Sequence, residues 1–187
     1  ELRGQLVASK PIAESTDPAP FVLRYLRAFG PASTQDIATW SWLQGVRAIV
    51  DRLGPRLRRY RDEDGRELLD VEDAELTDEG VPAPPRFLPE YDNLLLSHRD
   101  RRRVLDRPFS ALPLPAGNGA RLGTFLVDGF VAGTWEVIRS ERRATLRLAT
   151  WRPLEASQRT ALEAEAEALL AFLAPERPGA IDVAAGS

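Results

Sequence analysis

The chain has 187 residues, 43% of them hydrophobic and 28% charged, a composition typical of a globular protein with one or two domains. It contains no cysteine and one histidine, which excludes disulfides and thiolate nucleophiles and disfavours a histidine-based zinc site. We therefore expect no metal and no cofactor. No apolar run is long enough to span a membrane and no signal peptide heads the chain, so we expect a cytoplasmic protein with no membrane partner.

Charge is distributed unevenly along the chain, although the net charge is only −3. Residues 43–61 carry six arginines and one aspartate, a net charge of +5. Residues 62–79 carry ten acids and one arginine, a net charge of −9, which conceals the basic stretch beside it. Lys10 is the only lysine, and high genomic GC content would produce the same bias toward arginine. The chain also lacks methionine and begins at Glu1, so we expect it to be a piece of a longer protein.

Residues 1–20 contain three prolines, Pro11, Pro18 and Pro20, and are predicted to be a tail or the end of a preceding module. Residues 21–72 are predicted to form three helices and a hairpin. The pair Gly30-Pro31 ends the first helix, because glycine favours a C-terminal cap and proline lacks an amide hydrogen. Ser33 is the candidate N-cap of the second helix, with Asp36 three residues later.

The third helix, predicted over residues 43–53, sorts its side chains by helical spacing. Val46, Ile49, Val50 and Leu53 form the core-facing stripe, and Gln44, Arg47, Ala48 and Asp51 form the opposite one. An alternating basic strand follows, then a turn at Asp64-Gly65 and a returning strand, which is the pattern of a winged helix. The candidate DNA contacts on this unit are Gln44, Arg47, Arg56, Arg58, Arg59 and Arg61.

Alternatives that involve no DNA contact also fit these arginines. An arginine-rich strand also occurs as a solvated face, and Arg47 could pair with Asp51 four residues later. A winged helix can equally serve as a structural or protein-binding module, and the acidic net charge keeps that hypothesis open.

Residues 73–85 are acidic and proline-rich and are predicted to be an extended linker. Residues 86–175 are predicted to form a second domain, with a proline- and glycine-rich loop over residues 108–119. Its sequence predicts a β-hairpin with the turn at Asp128-Gly129, and Gly133 indicates a bulge in the second strand of that hairpin. A last helix follows, and residues 176–187 are expected to be a disordered tail. The predicted fold is α+β: a winged helix-turn-helix domain, then a small antiparallel β-barrel-like domain capped by a C-terminal helix.

Three separated segments resemble one family, the winged-helix DNA glycosylases of the AlkZ/YcaQ type. They are residues 25–33 (YLRAFGPAS), 86–98 (RFLPEYDNLLLSH) and 125–135 (FLVDGFVAGTW). The resemblance implies tandem winged helices around a β-barrel, a channel for double-stranded DNA, and excision of alkylated bases, including crosslinked ones.

The catalytic motif of that family is Gln-apolar-Gln or Gln-apolar-Asp, and the resemblance places it upstream of the matched region. The four glutamines here, Gln5, Gln35, Gln44 and Gln158, have neither Gln nor Asp two positions later. No catalytic residue is therefore assigned. Two hypotheses follow: the C-terminal part of a glycosylase that grips DNA, or a non-enzymatic winged-helix regulator or architectural protein. The coding sequence upstream would discriminate between them.

The second domain also carries candidate contacts. The resemblance favours a channel-facing role for His98 and Arg99, whereas the alternative has His98 satisfying backbone carbonyls. Arg101, with the two arginines after it, is a candidate phosphate clamp, although a solvated helix end would have the same sequence. The four tryptophans, Trp40, Trp42, Trp135 and Trp151, are predicted to be core or domain-interface residues rather than base-stacking platforms.

Overall fold

In the computed structural model, residues 17–78, 80–106 and 122–185 are described. The chain divides into two compact units, Glu1–Ala74 and Glu75–Ser187. Most of the tail predicted over residues 1–20, the loop predicted over residues 108–119 and the last two residues lie outside the described part. Where the chain is described, no helix combines the length and apolar character that a membrane crossing requires.

The first unit contains helices α1 (Ala19–Phe29), α2 (Thr34–Ser41) and α3 (Val46–Leu53). The predicted cap of α2 is confirmed, because Ser33 Oγ accepts a hydrogen bond from the Asp36 amide at 3.1 Å. The Ser33 amide in turn donates to the Asp36 carboxylate at 2.9 Å. Gly30 ends α1 and donates its amide hydrogen to the Leu26 carbonyl at 2.7 Å.

A two-stranded antiparallel hairpin, β1 (Leu57–Arg61) and β2 (Glu67–Val71), completes the first unit. The core of the unit lies between the three helices and the buried ends of this hairpin. Its fully buried side chains include Val22, Tyr25, Leu26, Ile37, Val50 and Leu69. The helices and the hairpin follow one another in the order that the sequence predicts.

The second unit is built on a five-stranded sheet in the order β3 (Arg86–Leu88), β4 (Gly123–Val127), β5 (Phe130–Arg139), β6 (Ala144–Thr150) and β7 (Gly179–Ala185). A short helix, α4 (Asn93–Leu96), follows β3, and α5 (Ala156–Leu173) connects β6 to β7. Leu162, Ala166 and Leu170 of α5 are buried in the same core as Phe125, Leu146 and Leu148 of the sheet. The predicted bulge is confirmed, since the β4–β5 register shifts between Phe125 and Leu126, opposite Gly133.

Two predictions for this unit were wrong. The sheet is open and mixed rather than an antiparallel barrel, because β7 pairs with β6 in parallel after the α5 crossover. Residues 176–187 were predicted to be a disordered tail, but Gly179–Ala185 forms this strand. The small residues of β7 give little β signal, and only Ile181 and Val183 provide the alternation that packs against the core.

Candidate nucleic-acid interface

Helix α3 presents the two faces that its spacing predicts. Val46, Ile49, Val50 and Leu53 are buried. Arg47, Ala48 and Asp51 are exposed, and so is Gln44 just before the helix. The cation at Arg47 pairs with Glu67 of β2 rather than with Asp51, its nearest acid in sequence.

Glu67 is the residue on which two cations from different elements converge. Arg59 Nη1 of β1 donates to Glu67 Oε1 at 2.6 Å. Arg47 Nη1 of α3 lies 3.7 Å from Glu67 Oε2. We call Glu67, Arg47 and Arg59 the Glu67 cluster. The cluster is open to solvent, since the side chains of Arg47 and Glu67 are 72% and 32% exposed.

The register of the hairpin divides its arginines between two faces. Arg59 pairs with Leu69 and Arg61 pairs with Glu67, so these residues share the face that carries the buried Leu69. Arg58 pairs with Asp70 and therefore lies on the opposite face. Its guanidinium lies 3.5 Å from both the Tyr60 hydroxyl and the Ala74 carbonyl. The candidate arginines of β1 are therefore divided between the two faces of the hairpin.

Hydrogen bonds from arginines lower the pKa of two acids in the hairpin, Glu67 and Asp62. The hydrogen bond from Arg59 holds the pKa of Glu67 below its ordinary value, and the charges of Arg47 and Arg61 act in the same direction against partial burial. Burial raises the pKa of Asp62, but the hydrogen bonds from the Arg66 amide and guanidinium outweigh this effect. The pKa of Asp62 is therefore below its ordinary value. On the other side of the hairpin, the hydrogen bond with Tyr60 raises the pKa of Arg58.

The lowered pKa of Glu67 predicts a loss of stability in acid. Its stabilising effect is fully present above the ordinary glutamate pKa of about 4.3 and is lost as the pH falls through the lower folded-state pKa. We expect Glu67→Gln to lose less unfolding free energy than the parent between pH 7 and pH 3, measured by urea denaturation. If both proteins lost the same unfolding free energy, the Glu67 cluster would not contribute to the loss of stability in acid.

The imidazole of His98 in the second unit is buried, with the residue only 6% exposed. Its Nε2 lies 2.9 Å from Arg103 Nη1, and its Nδ1 lies 2.8 Å from Ser97 Oγ. Because a guanidinium can only donate, Nε2 is the acceptor, and the proton is assigned to Nδ1, which faces Ser97. The burial of the ring and its two neighbours do not favour the predicted phosphate contact by His98.

The arginines after His98 also have partners within the unit. Arg101 donates to the Leu95 carbonyl, and Arg102 forms a bidentate pair with Asp100, at 2.8 Å for the closest atoms. Arg99 is exposed. These partners do not favour a phosphate clamp at Arg101 and its neighbours. Within the described ranges, no group of three or more His, Cys, Asp or Glu side chains could hold a metal ion.

Sequence reasoning missed two residues of the first unit. Glu67 was counted only as part of an acidic run, although its diagonal relation to Arg59 across the hairpin could have identified it once the register was known. Trp42 was predicted to be buried or at an interface, yet it is 89% exposed in the turn between α2 and α3. Its place directly after the helix-ending Ser41 was the available signal.

Comparisons with known proteins agree with this architecture. The sequence profile of the DNA glycosylase AlkZ-like family matches residues 5–172. Among solved structures, the chain is similar to the Streptomyces sahachiroi DNA glycosylase AlkZ, with 21% sequence identity and a TM-score of 0.69. The similarity covers 89% of this chain and 45% of that chain, so this chain spans less than half the length of the glycosylase. A search of the curated proteins finds no match.

Proposed function

The chain belongs to the DNA glycosylase AlkZ-like family, and from this premise we propose that it binds double-stranded DNA through α3 and the β1–β2 hairpin. In this proposal the first unit acts as a winged helix. Helix α3 enters the major groove with its N-terminal end toward the base edges, and the hairpin lies along the backbone.

The observation that carries the proposal is the convergence of Arg47 and Arg59 on one carboxylate. A carboxylate held by two guanidinium groups, at 2.6 and 3.7 Å, resembles a phosphodiester in its single negative charge and its pair of acceptor oxygens, to which guanidinium groups donate. Glu67 therefore occupies the position that we assign to a DNA phosphate. The two cations come from α3 and β1, the two elements by which a winged helix contacts DNA.

The pairing with Glu67 does not prevent phosphate binding. Exposed ion pairs contribute about 0–1 kcal/mol each, because both partners remain hydrated and lose side-chain freedom. The phosphates of a duplex offer several contacts together with the release of condensed counterions, which is the larger free energy. We therefore propose that DNA displaces Glu67 from the two arginines at little cost.

Further contacts are proposed around the Glu67 cluster. Gln44 precedes α3, where a side-chain amide can reach a base edge. Arg61 shares the hairpin face of Glu67. We also propose phosphate contacts for Arg56, just before β1, and for Arg58, although Arg58 lies on the other face of the hairpin. In the second unit, exposed Arg99 remains a proposed phosphate contact.

We propose that this chain binds DNA and does not itself hydrolyse the glycosidic bond. None of its glutamines begins the Gln-apolar-Gln or Gln-apolar-Asp motif. Excision of an activated alkylated base needs a positioned water and stabilisation of the developing sugar cation, and we assign neither role to a residue of this chain.

The test is the salt dependence of binding to a fluorescent duplex. We expect log K to fall linearly with log salt, with a slope that counts the phosphates contacted. The same mixtures, prepared with alkylated duplex, are assayed for abasic sites. Affinity that ignores salt would overturn the proposed interface, and abasic sites formed by this chain would overturn the assignment of binding without chemistry.

Replacing Glu67 by glutamine should strengthen DNA binding. The change releases Arg47 and Arg59 from their acid and removes an anion from the phosphate path, so we expect an affinity gain of roughly 3- to 10-fold at low salt. Glu63→Gln in the hairpin turn removes an exposed acid outside the cluster and serves as the matched control. A gain of equal size in the control would reduce the effect to net charge.

A further inference from the structure

Trp42 stands apart from the other tryptophans of the chain. Trp40 stacks among Phe21, Tyr25 and Phe29, with ring centroids 5.1–5.8 Å apart. Trp135 donates its indole hydrogen to the Leu88 carbonyl at 2.9 Å. Trp42 is instead 89% exposed, so its indole contributes almost nothing to the core.

The backbone of Trp42 is also unfavourable for its side chain. It ends α2 in the left-handed conformation, with φ of 61° and ψ of 12°. Glycine is usual at this position of a helix end, because every L side chain crowds the backbone there and a bulky one does so most. The fold would therefore be served equally well or better by glycine. Strained residues that the fold does not require are concentrated at functional sites.

The position of Trp42 identifies what its indole could contact. It lies in the turn that leads into α3, two residues before Gln44 and five before Arg47. In a helix-turn-helix this end of the recognition helix is the part closest to the bases. The net charge of +5 over residues 43–61 attracts a polyanion rather than an apolar protein surface.

We infer that Trp42 is a stacking residue that selects duplex DNA containing an unstacked base, an inference that rests on the DNA binding proposed above. Tryptophan stacks on any nucleobase, because every base offers a π face. In a paired duplex the free energy of opening a base step is of the same order as the stacking gained, so the two nearly cancel. Where a base is already unpaired, little free energy is needed to open the step. The stacking free energy then favours this duplex over the fully paired one.

The experiment uses two duplexes of one sequence, one fully paired and one carrying a single unpaired adenine. We expect the parent chain to prefer the second by about tenfold, equivalent to about 1.4 kcal/mol. Trp42→Gly should abolish this preference, because its loss of affinity should be larger for the duplex with the unpaired adenine than for the paired duplex. Trp42→Phe should retain part of it. Phe172→Ala is the control: it removes an aromatic side chain of the second unit that is 79% exposed, and it should retain the whole preference.

Thermal unfolding separates this role from a structural one. Trp42→Gly should unfold at the same temperature as the parent or higher, since relief of the left-handed strain offsets the greater chain entropy of glycine. A lower unfolding temperature, or an unchanged preference in Trp42→Gly, would overturn the inference while DNA binding survived. Dimerisation that Trp42→Gly abolishes would also overturn it. Failure of the parent to bind either duplex would overturn the proposed function itself.

Discussion

The double variant Arg47→Ala/Arg59→Ala is expected to bind duplex DNA about 30-fold more weakly than the parent, assuming about 1 kcal/mol for each phosphate contact. The slope of log K against log salt should fall by about two, because two counterion-releasing contacts are lost. The loss should be similar on all DNA sequences, since phosphates carry no sequence information. Fluorescence anisotropy titrations at several salt concentrations measure both quantities.

The matched control is Arg24→Ala/Arg27→Ala, which removes the same two charges from the exposed side of α1. We expect that control to change affinity only slightly and to leave the salt slope near its original value. Folding should be preserved in the test variant, because Glu67 is partly exposed and water can replace its partners. Equal effects of the two double variants would mean that net charge alone controls binding, and the interface would have to be abandoned.

Gly133→Ala is expected to destabilise the second unit by about 3 kcal/mol or more. A Cβ at this position would overlap the carbonyl oxygen of Ala149 on β6 and the ring of Phe125 on β4. Phe125 is fully buried and the carbonyl belongs to the backbone of a central strand, so neither can move away easily. Urea denaturation followed by tryptophan fluorescence measures the change, because Trp135 and Trp151 belong to this unit.

Gly80→Ala is the control for that substitution. It makes the same chemical change within the second unit, and an added Cβ would meet no atom within 4 Å. Its free energy of unfolding should stay within about 0.5 kcal/mol of the parent value. If Gly133→Ala were tolerated as well as Gly80→Ala, the close packing of β4, β5 and β6 described above would be incorrect.

Local signals in the sequence were sufficient for the elements of the first unit. The cap at Ser33, the helix-ending Gly30 and the two faces of α3 each depend on residues within one or two turns of the helix, and all three were predicted correctly. The resemblance in three separated segments also identified the family, which the profile match over residues 5–172 bears out.

Contacts between distant residues were decided only by the tertiary structure. Arg47 meets Glu67 because α3 and the hairpin share one hydrophobic core. The strand register places Arg58 on the face of the hairpin opposite to Arg59. Likewise the parallel pairing of β7 and the enclosure of His98 by Ser97 and Arg103 follow from packing. In the first unit, the sequence by itself determined which segments are helices and which form the hairpin, because propensity, caps and periodicity act over a few residues. The structure decided which charges meet, because that depends on the docking of whole elements, whose free energy resides mainly in the buried apolar faces.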